Sequence, residues 1–472
     1  MPSPLTSKCC VEVSNTLGDH VYLPGTSACN GTVMSYWSTQ EALLTPACVV
    51  MPESSADVAK FMSVITRITN CSFAIKTQGH APAAGAANIN DGVTLDLSWL
   101  NNTSISDDYT IASVYAGSTW LDVYTMLDPF NKTVAGGRNG AVGVGGLTLG
   151  GGLSYYSPQV GWTCDTVVDF EVVLASSKIV NANATSNTDL YRAFKGGGNN
   201  FGVVTRIDFR TVDTVPLRGG HLFQSVDYAQ EILTAFANIA SSPRYVVHAS
   251  IVTSFIFNAT TRRWTVLTVP VYTLPEANPS VYEELFSIPN ITTQSTMLIE
   301  NISSLAAEAP YPQKYQSFFT STYAASAELL VELFHIANQS LRHTESPGDI
   351  SWTISFEPLP TILTQHGDGG NVFGALSSDG NSIILLLSVA WTKPSSSSFA
   401  QDAGEELLKA MDNAANQVGG LRRFRYLNYA APNQDPLSSH GKDNLVFLQE
   451  VSAKYDSEGV FQNRVPGGFK LR

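Results

Sequence analysis

Nine of the eighteen residues from 135 to 152 are glycines, and the stretch carries only one charge. Glycine has no Cβ, so its backbone can adopt positive φ and bring N–H groups within hydrogen-bond reach of a bound anion. A flexible linker is the alternative, but linkers are usually polar and rich in Ser or Pro. This run instead contains four apolar residues of the kind that burial favours: Val142, Val144, Leu147 and Leu149. The pattern favours a loop that lies against an anionic ligand.

A second glycine turn, residues 77–80, follows a predicted strand over 71–76 and ends in His80. Capping residues and periodicity predict three helices in the first 210 residues: one that Ser54 or Ser55 caps and that extends to Ile65, one over 120–127 and one over 189–195. Alternating apolar residues predict four more strands, over 93–97, 167–175, 178–182 and 203–209. This part of the chain is therefore predicted to be an α+β domain.

The following part of the chain, from about residue 217 to 407, has a different pattern of predicted secondary structure. Strands are predicted over 245–257, 264–271, 351–356 and 383–391, between helices over 326–338 and 399–418. This arrangement is typical of a sheet with helices on one face. The segment 425–472 is aromatic but weakly periodic, and we expect it to pack back on the first domain.

The amino-acid composition and the net charge indicate which classes of molecule the protein binds. The chain has 472 residues, of which 44% are hydrophobic and 14% charged, and its net charge is −13. Nucleic acids and anionic membranes call for clustered Lys and Arg, so a small molecule is the expected partner. The longest strongly apolar stretch, 383–391, is too short to span a bilayer. No C-x-x-C pair or histidine cluster suggests a metal. We expect a monomer.

Cysteines and glycosylation sequons indicate a secretory route. Five of the six cysteines precede residue 72, which predicts a disulfide-stapled N-terminal segment, with buried free thiols as the alternative. Residues 1–10 lack the charged and apolar regions of a signal peptide, so either it was trimmed or the sequons are unused. The Asn-x-Ser/Thr sequons begin at Asn30, Asn70, Asn101, Asn102, Asn131, Asn183, Asn258, Asn290, Asn301 and Asn338.

Four motifs in order resemble the FAD-linked oxidases of the vanillyl-alcohol oxidase superfamily, in particular its fungal berberine-bridge-enzyme-like branch. They are residues 75–80, the glycine run, residues 194–205, and the pair 426–429 and 460–463. The resemblance covers essentially the whole chain. It implies an α+β fold with an FAD-binding domain over 1–215, an antiparallel-sheet substrate domain covered by helices over 216–419, and a segment over 420–472 that returns to the FAD domain.

In that family the histidine that closes the first turn is bonded to the flavin 8α-methyl group, so the resemblance implies a covalent link through His80. Gln78 departs from the family, which usually has glycine there. Many relatives add a second bond from a cysteine, but Asn139 occupies that position and Cys164 lies too far along the motif. We therefore expect one link at most, which favours a hydrophobic metabolite over a carbohydrate. The resemblance also implies a disulfide from Cys71 to Cys9 or Cys10.

Other FAD contacts implied by the resemblance lie in both glycine segments and in two later motifs. In relatives, the residue at the Val142 position lies near the reactive edge of the flavin, and valine there resembles members that use O₂. The implied cofactor contacts are His80, Thr77, Gln78, Gly79, Ala81, Gly85, Gly136, Gly137, Val142, Gly143, Gly145, Gly146, Thr148, Gly151, Val203 and Asn428.

Hydride removal generally requires a base for a second proton. By resemblance, Tyr429 faces the substrate, but a phenol with a pKa of about 10 needs a positive neighbour to act as a base, and Arg425 is a candidate. Glu357 follows the predicted strand 351–356. A carboxyl group in an apolar site can exchange a proton near neutral pH, whereas a solvated strand-end carboxylate has no such role. Tyr155 and Tyr156 either line the pocket or belong to the core.

The resemblance implies an FAD-dependent oxidase of a small organic, secondary metabolite, with hydride transfer to flavin N5 and reoxidation by O₂ to H₂O₂. Three alternatives remain open at this point. One is a non-redox acid/base isomerase or cyclase that retains FAD structurally, the second is a carbohydrate oxidase, and the third is a flavin-free binding protein.

Overall fold

The computed structural model describes residues 4–307, 313–366, 370–374 and 379–471. Its strands are β1 Val21–Tyr22, β2 Cys48–Val50, β3 Phe73–Lys76, β4 Val93–Asp96, β5 Thr103–Ile105, β6 Ile111–Tyr115, β7 Lys132–Thr133, β8 Val167–Val173, β9 Ile179–Asn183, β10 Val203–Arg210, β11 Val212–Asp213, β12 Leu217–Gly219, β13 Leu222–Gln224, β14 Ala249–Asn258, β15 Arg263–Tyr272, β16 Leu298–Glu300, β17 Tyr315–Ala324, β18 Ser351–Leu359, β19 Ser382–Trp391 and β20 Leu421–Arg422. Its α-helices are α1 Pro4–Leu17, α2 Ser27–Met34, α3 Thr39–Ala42, α4 Ser55–Ile65, α5 Trp120–Leu127, α6 Val144–Leu149, α7 Ser157–Val160, α8 Thr188–Phe194, α9 Ala229–Ser241, α10 Glu283–Ser287, α11 Ile302–Ala306, α12 Ala327–His343, α13 Ser397–Gln417, α14 Pro436–Ser439, α15 Lys442–Tyr455 and α16 Val460–Asn463.

A four-stranded sheet in the order β1-β2-β4-β3 presents the His80 turn. β2, β4 and β3 run parallel, and all four β4 residues are buried, as expected for a parallel sheet covered on its faces. Ser54 caps α4 through the Asp57 N–H. Disulfides Cys9–Cys71 and Cys10–Cys48 fix α1 to this sheet. The resemblance-based expectation for Cys71 is therefore confirmed, with Cys9 as its partner.

An antiparallel sheet in the order β5-β6-β10-β8-β9 lies next along the chain. The β8 and β9 hairpin and strand β10 match the sequence prediction closely. Helix α5 begins with a capping box, in which Thr119 accepts from the Asp122 N–H and Asp122 accepts from the Thr119 N–H. This helix buries Trp120, whose ring supports the glycine run described below.

A large antiparallel sheet in the order β16-β12-β15-β14-β18-β19-β17-β20, with β13 beside β15, forms the second half. One face packs against the apolar sides of α9, α12 and α13 in a single hydrophobic core. Because side chains alternate along a strand, Phe356 on β18 enters this core and Glu357 points to the opposite face. That opposite face meets the FAD-type motifs of the first half, since Phe318 on β17 and Leu386 on β19 line the shared cavity.

The segment from 420 onward returns to the first sheet. Val460, Phe461 and Val465 share a core with Phe61 and Phe73. Arg464 donates to the carbonyl oxygens of Ile65, Thr66 and Ile68 at 3.1–3.2 Å. These contacts join the two ends of the described chain around one core.

Several local predictions were wrong. Residues 144–149 form helix α6 inside a stretch expected to be a loop. Residues 245–248 precede β14 and do not extend it. Strand β17 and helix α15 were not anticipated. Among the described helices, none combines the length and apolar character that a bilayer crossing requires.

Candidate functional site

A cavity of about 870 Å³ lies where the His80 turn, the glycine run, the large sheet and the 426–470 segment meet. Its volume is in the upper part of the range of about 300–1,000 Å³ for ligand and cofactor sites. Eleven of the sixteen residues expected to contact FAD line it: Thr77, Gly79, His80, Ala81, Gly85, Val142, Gly143, Gly145, Gly146, Val203 and Asn428.

His80 lies at the cavity wall on a rigid turn. Gly79 adopts φ +68°, and a Cβ there would lie 2.6 Å from Cδ1 of Tyr36, so glycine is required. The Gly79 carbonyl accepts from the Trp37 N–H at 3.1 Å. The Trp37 and His80 rings stack with their centroids 4.5 Å apart. Burial lowers the His80 pKa to about 4, so the imidazole is neutral at neutral pH.

An ion pair lies under this turn. Lys76 at the end of β3 pairs with Asp96 at the end of β4 at 3.2 Å, and both side chains are 1% exposed. Asp96 also accepts from the Thr32 hydroxyl at 2.7 Å. Parallel strand ends bring these two charges together, and the pair fixes the strand from which the His80 turn leaves.

Glu41 holds the other side of the turn. Its carboxylate is fully buried and accepts from the N–H groups of Gly85 at 3.0 Å and Ala87 at 2.6 Å, both of which line the cavity. Burial raises the Glu41 pKa to about 7, against the lowering effect of these hydrogen bonds. The sequence contained no signal for this role, because Glu41 lies more than forty residues from its partners.

We expect Glu41→Gln to destabilise the protein by about 1–3 kcal/mol, because glutamine has one acceptor oxygen and leaves Gly85 or Ala87 with an unpaired buried N–H. Urea unfolding would measure the change. The exposed Glu53→Gln is the matched control. Equal stabilities of the two variants would contradict the role given to Glu41.

The glycine run supplies one wall of the cavity. Gly146 has only one atom, Thr77 Oγ1, within 4 Å of the place where a Cβ would stand, so its backbone faces open space. Gly143 and Gly145 are closely packed against Thr77 and its neighbours. The run therefore brings bare backbone to the cavity at Gly146, and part of the run is helical.

Five residues expected at the cofactor do not line the cavity. Gln78 donates to the Gly117 carbonyl oxygen. A Cβ on Gly136 or Gly137 would lie 2.1 Å or 2.6 Å from the Trp120 ring. Thr148 donates to the Val144 carbonyl oxygen within α6, and Gly151 packs against Phe373. These five residues lie behind the cavity wall, and the structure does not expose them to a ligand in the cavity.

Arg138, Glu357 and Tyr429 form a connected polar triad beside the cavity. Arg138 Nη2 donates to Glu357 Oε2 at 2.8 Å and to Tyr429 Oη at 3.0 Å. Tyr429 Oη donates to Glu357 Oε1 at 2.9 Å. Glu357 is 3% exposed, so the solvated strand-end alternative is wrong. Its surroundings are not simply apolar either, since a guanidinium pairs with it.

The triad fixes the protonation of the phenol. Burial and the adjacent Glu357 carboxylate raise the Tyr429 pKa well above its ordinary value, and Arg138 lowers it only partly. Although burial alone would lower the Arg138 pKa, Glu357 and Tyr429 raise it. Tyr429 is therefore a neutral phenol that donates to a carboxylate, and Arg138 and Tyr429 line the cavity in front of Glu357.

Arg425 was the wrong choice for the positive neighbour of Tyr429. Its guanidinium pairs with Asp412 at 3.3 Å and donates to the carbonyl oxygens of Arg422 and Phe424. Arg138 has the position that Arg425 was expected to have. The available signal was that Arg138 is the one charge in the glycine run.

Five other residues singled out in the sequence can now be placed. Tyr155 and Tyr156 are buried in a hydrophobic core, which supports the packing alternative. Asn139 lines the cavity, whereas Cys164 is fully buried among apolar residues and does not. Asn428 donates to the Leu147 carbonyl oxygen at 3.0 Å and so joins the 427–429 turn to α6.

The chain matches known proteins over nearly its full length. A family model described as an FAD binding domain matches residues 46–183. An FAD-dependent monooxygenase of Cochliobolus heterostrophus is 36% identical, over 98% of this chain and 93% of the relative. One of Aspergillus calidoustus is 33% identical, over 98% of this chain and 90% of the relative.

Solved structures share the fold. Berberine bridge enzyme from Eschscholzia californica superposes with a TM-score of 0.79 at 15% identity, over 99% of each chain. The 6-hydroxy-D-nicotine oxidase from Arthrobacter nicotinovorans gives 0.76 at 20% identity, over 94% of this chain and 96% of the other. With the relatives above, these findings show that the chain belongs to the family of FAD-dependent oxidoreductases that these fungal relatives represent, and that it has the fold of berberine bridge enzyme.

Proposed function

We propose that the protein is an oxidase of a small, largely apolar organic metabolite, which uses FAD linked covalently through His80 and releases H₂O₂. The observation that carries this proposal is the Arg138–Glu357–Tyr429 triad at the edge of the cavity that His80 also lines. Phe318, Leu386 and Tyr426 give the cavity apolar walls next to the triad.

The residues present fit FAD. A Cβ at Gly85 or Gly146 would enter open space in the cavity, so bare backbone is available to a diphosphate. His80 is neutral, and a ring nitrogen lone pair is therefore available for a bond to carbon. Asn139 occupies the position of a second linking cysteine and Cys164 does not reach the cavity, which supports a single link. The five residues behind the wall are proposed to support the cofactor indirectly.

When bound, FAD supplies an acceptor for a hydride from the substrate carbon. The substrate also loses a proton from an O–H or N–H group. We assign its uptake to Tyr429 Oη, which faces the cavity and can pass its own proton to Glu357 Oε1 at 2.9 Å. Arg138 positions both groups by donating to Glu357 Oε2 and to Tyr429 Oη. The net reaction removes a hydride and a proton from the substrate and delivers two electrons and two protons to O₂.

A second candidate is monooxygenation, because several relatives at 31–36% identity are named FAD-dependent monooxygenases. Isotopically labelled O₂ distinguishes the two. We expect the label in H₂O₂ and none in the organic product. Label in the product at one atom per turnover, with no H₂O₂, would overturn the oxidase assignment and support the monooxygenase.

We also propose a secretory route and a monomeric state. The two disulfides are compatible with an oxidising compartment, and eight of the ten sequon asparagines are exposed. The side-chain amides of the other two are hydrogen-bonded within the protein, since Asn183 donates to Asp169 and Asn338 accepts from Trp264. Enzymatic deglycosylation of protein from a fungal host should lower its apparent mass, and an unchanged mass would contradict the proposed route.

A further inference from the structure

The segment Pro466–Leu471, which we name the strap, lines the cavity through its residues 466–470. Asn199 Nδ2 donates to the Gly467 carbonyl oxygen at 3.1 Å, and Asn200 Nδ2 donates to the Phe469 carbonyl oxygen at 2.9 Å. The Leu471 N–H donates to Gln462 Oε1 at 3.0 Å. Backbone bonds to three amide side chains therefore fix the path of the strap.

The strap also lies against the turn that follows His80. A Cβ on Gly467 would stand 2.1 Å from the Ala86 carbonyl oxygen and 2.6 Å from that of Gly85. Gly468 adopts φ +78°, a conformation suited to glycine. Gly467 thus brings the strap into direct contact with the carbonyl groups of Gly85 and Ala86, in the segment whose Gly85 and Ala87 N–H groups donate to the buried Glu41.

The side-chain amino group of Lys470, on the strap, is buried and has no hydrogen-bond partner among the described residues. The Nζ atom is inaccessible to solvent and belongs to a side chain that lines the cavity. Burial lowers the Lys470 pKa to about 7. A buried amino group without a partner is costly, so its position indicates a partner that the polypeptide does not supply.

The other charged residues along the described cavity wall have partners. Arg138 pairs with Glu357, and Asp435 accepts from the Ser438 N–H. Arg138 is itself a cation, and Asp435, the carboxylate among the described lining residues, does not hydrogen-bond to Lys470 Nζ. The diphosphate is the anionic part of FAD, and a lysine ammonium is a suitable point charge for a phosphate.

We propose that Lys470 binds the diphosphate of FAD and that the strap carries this lysine across the cofactor to the glycine turn at 85–86. This assignment rests on the proposed cofactor. It gives Lys470 the counter-charge that the polypeptide lacks, and it makes the strap part of the FAD site and not only a packing element.

The test measures flavin affinity in a His80→Ala background, in which no covalent link obscures dissociation. Fluorescence titration gives Kd for FAD and for riboflavin, which lacks the diphosphate. We expect Lys470→Met to raise Kd for FAD about 10- to 100-fold and to leave Kd for riboflavin unchanged, because one charge-assisted contact is lost. Lys470→Arg should retain most of the FAD affinity. Lys178→Met, at an exposed site, is the control.

An FAD affinity of Lys470→Met within twofold of the parent would overturn the proposal, as would equal losses for FAD and riboflavin. Failure of the parent to bind either flavin would instead contradict the cofactor assignment, so the two failures are distinguishable. If the His80→Ala background does not fold, the ratio of FAD to protein in purified Lys470→Met and Lys470→Arg, each with His80 intact, decides. A lower ratio in the Met variant alone supports the proposal, and equal ratios overturn it.

Discussion

Replacing Glu357 with Gln is expected to lower the rate of flavin reduction by substrate about 10²- to 10⁴-fold, the usual contribution of a positioned base. Glutamine cannot take the proton from Tyr429, which at present donates to Glu357 Oε1. The cofactor should remain bound, because Glu357 lies behind Arg138 and Tyr429 and does not line the main cavity. Anaerobic stopped-flow absorbance would measure the rate.

The exposed Glu53→Gln is the matched control and should reduce flavin at the wild-type rate. Tyr429→Phe should be slow as well, since it removes the group that faces the cavity. A Glu357→Gln protein that contains FAD and reacts within twofold of wild type would contradict the assigned proton path.

Replacing His80 with Ala is expected to abolish covalent flavin attachment completely. The wild-type imidazole is neutral because burial lowers its pKa to about 4, and Trp37 holds its ring in one plane. Intact-mass spectrometry after denaturation should show the polypeptide plus one FAD in the wild type and the bare polypeptide in His80→Ala.

His343→Ala, at an exposed site on α12, should keep the FAD mass. Peptide mapping should place the added mass on the peptide that contains residue 80. Release of all FAD from denatured wild-type protein would contradict the covalent link while leaving the cofactor and the fold unaffected.

Strands and capped helices were predictable where the local pattern and the tertiary structure agree. The alternation in β14, β15 and β19 reflects one face on the helical core, and the capping box at Thr119 starts α5 at the predicted residue. Helix α15 was missed because only three of its residues are buried. Its position depends on contacts with α8, which lies about 250 residues earlier.

The site was predictable in part. His80 and the glycine run could be identified from local sequence motifs, and residues of both line the cavity. The triad could not be identified from local sequence, because Arg138 and Glu357 are 219 residues apart and Arg138 and Tyr429 are 291 residues apart. Only the crossing of the large sheet over the glycine run brings them together. The same holds for Lys470, whose burial depends on the path of the strap.

The central claim is that substrate oxidation proceeds through the flavin. Anaerobic mixing of the holoenzyme with a panel of hydroxylated aromatic metabolites tests it most directly, with absorbance and product followed together. We expect the oxidised flavin band to bleach, with one oxidised product molecule per flavin, and to return when O₂ is admitted. Product formed while the flavin stays oxidised would contradict the account and support an acid/base isomerase or cyclase that retains FAD structurally.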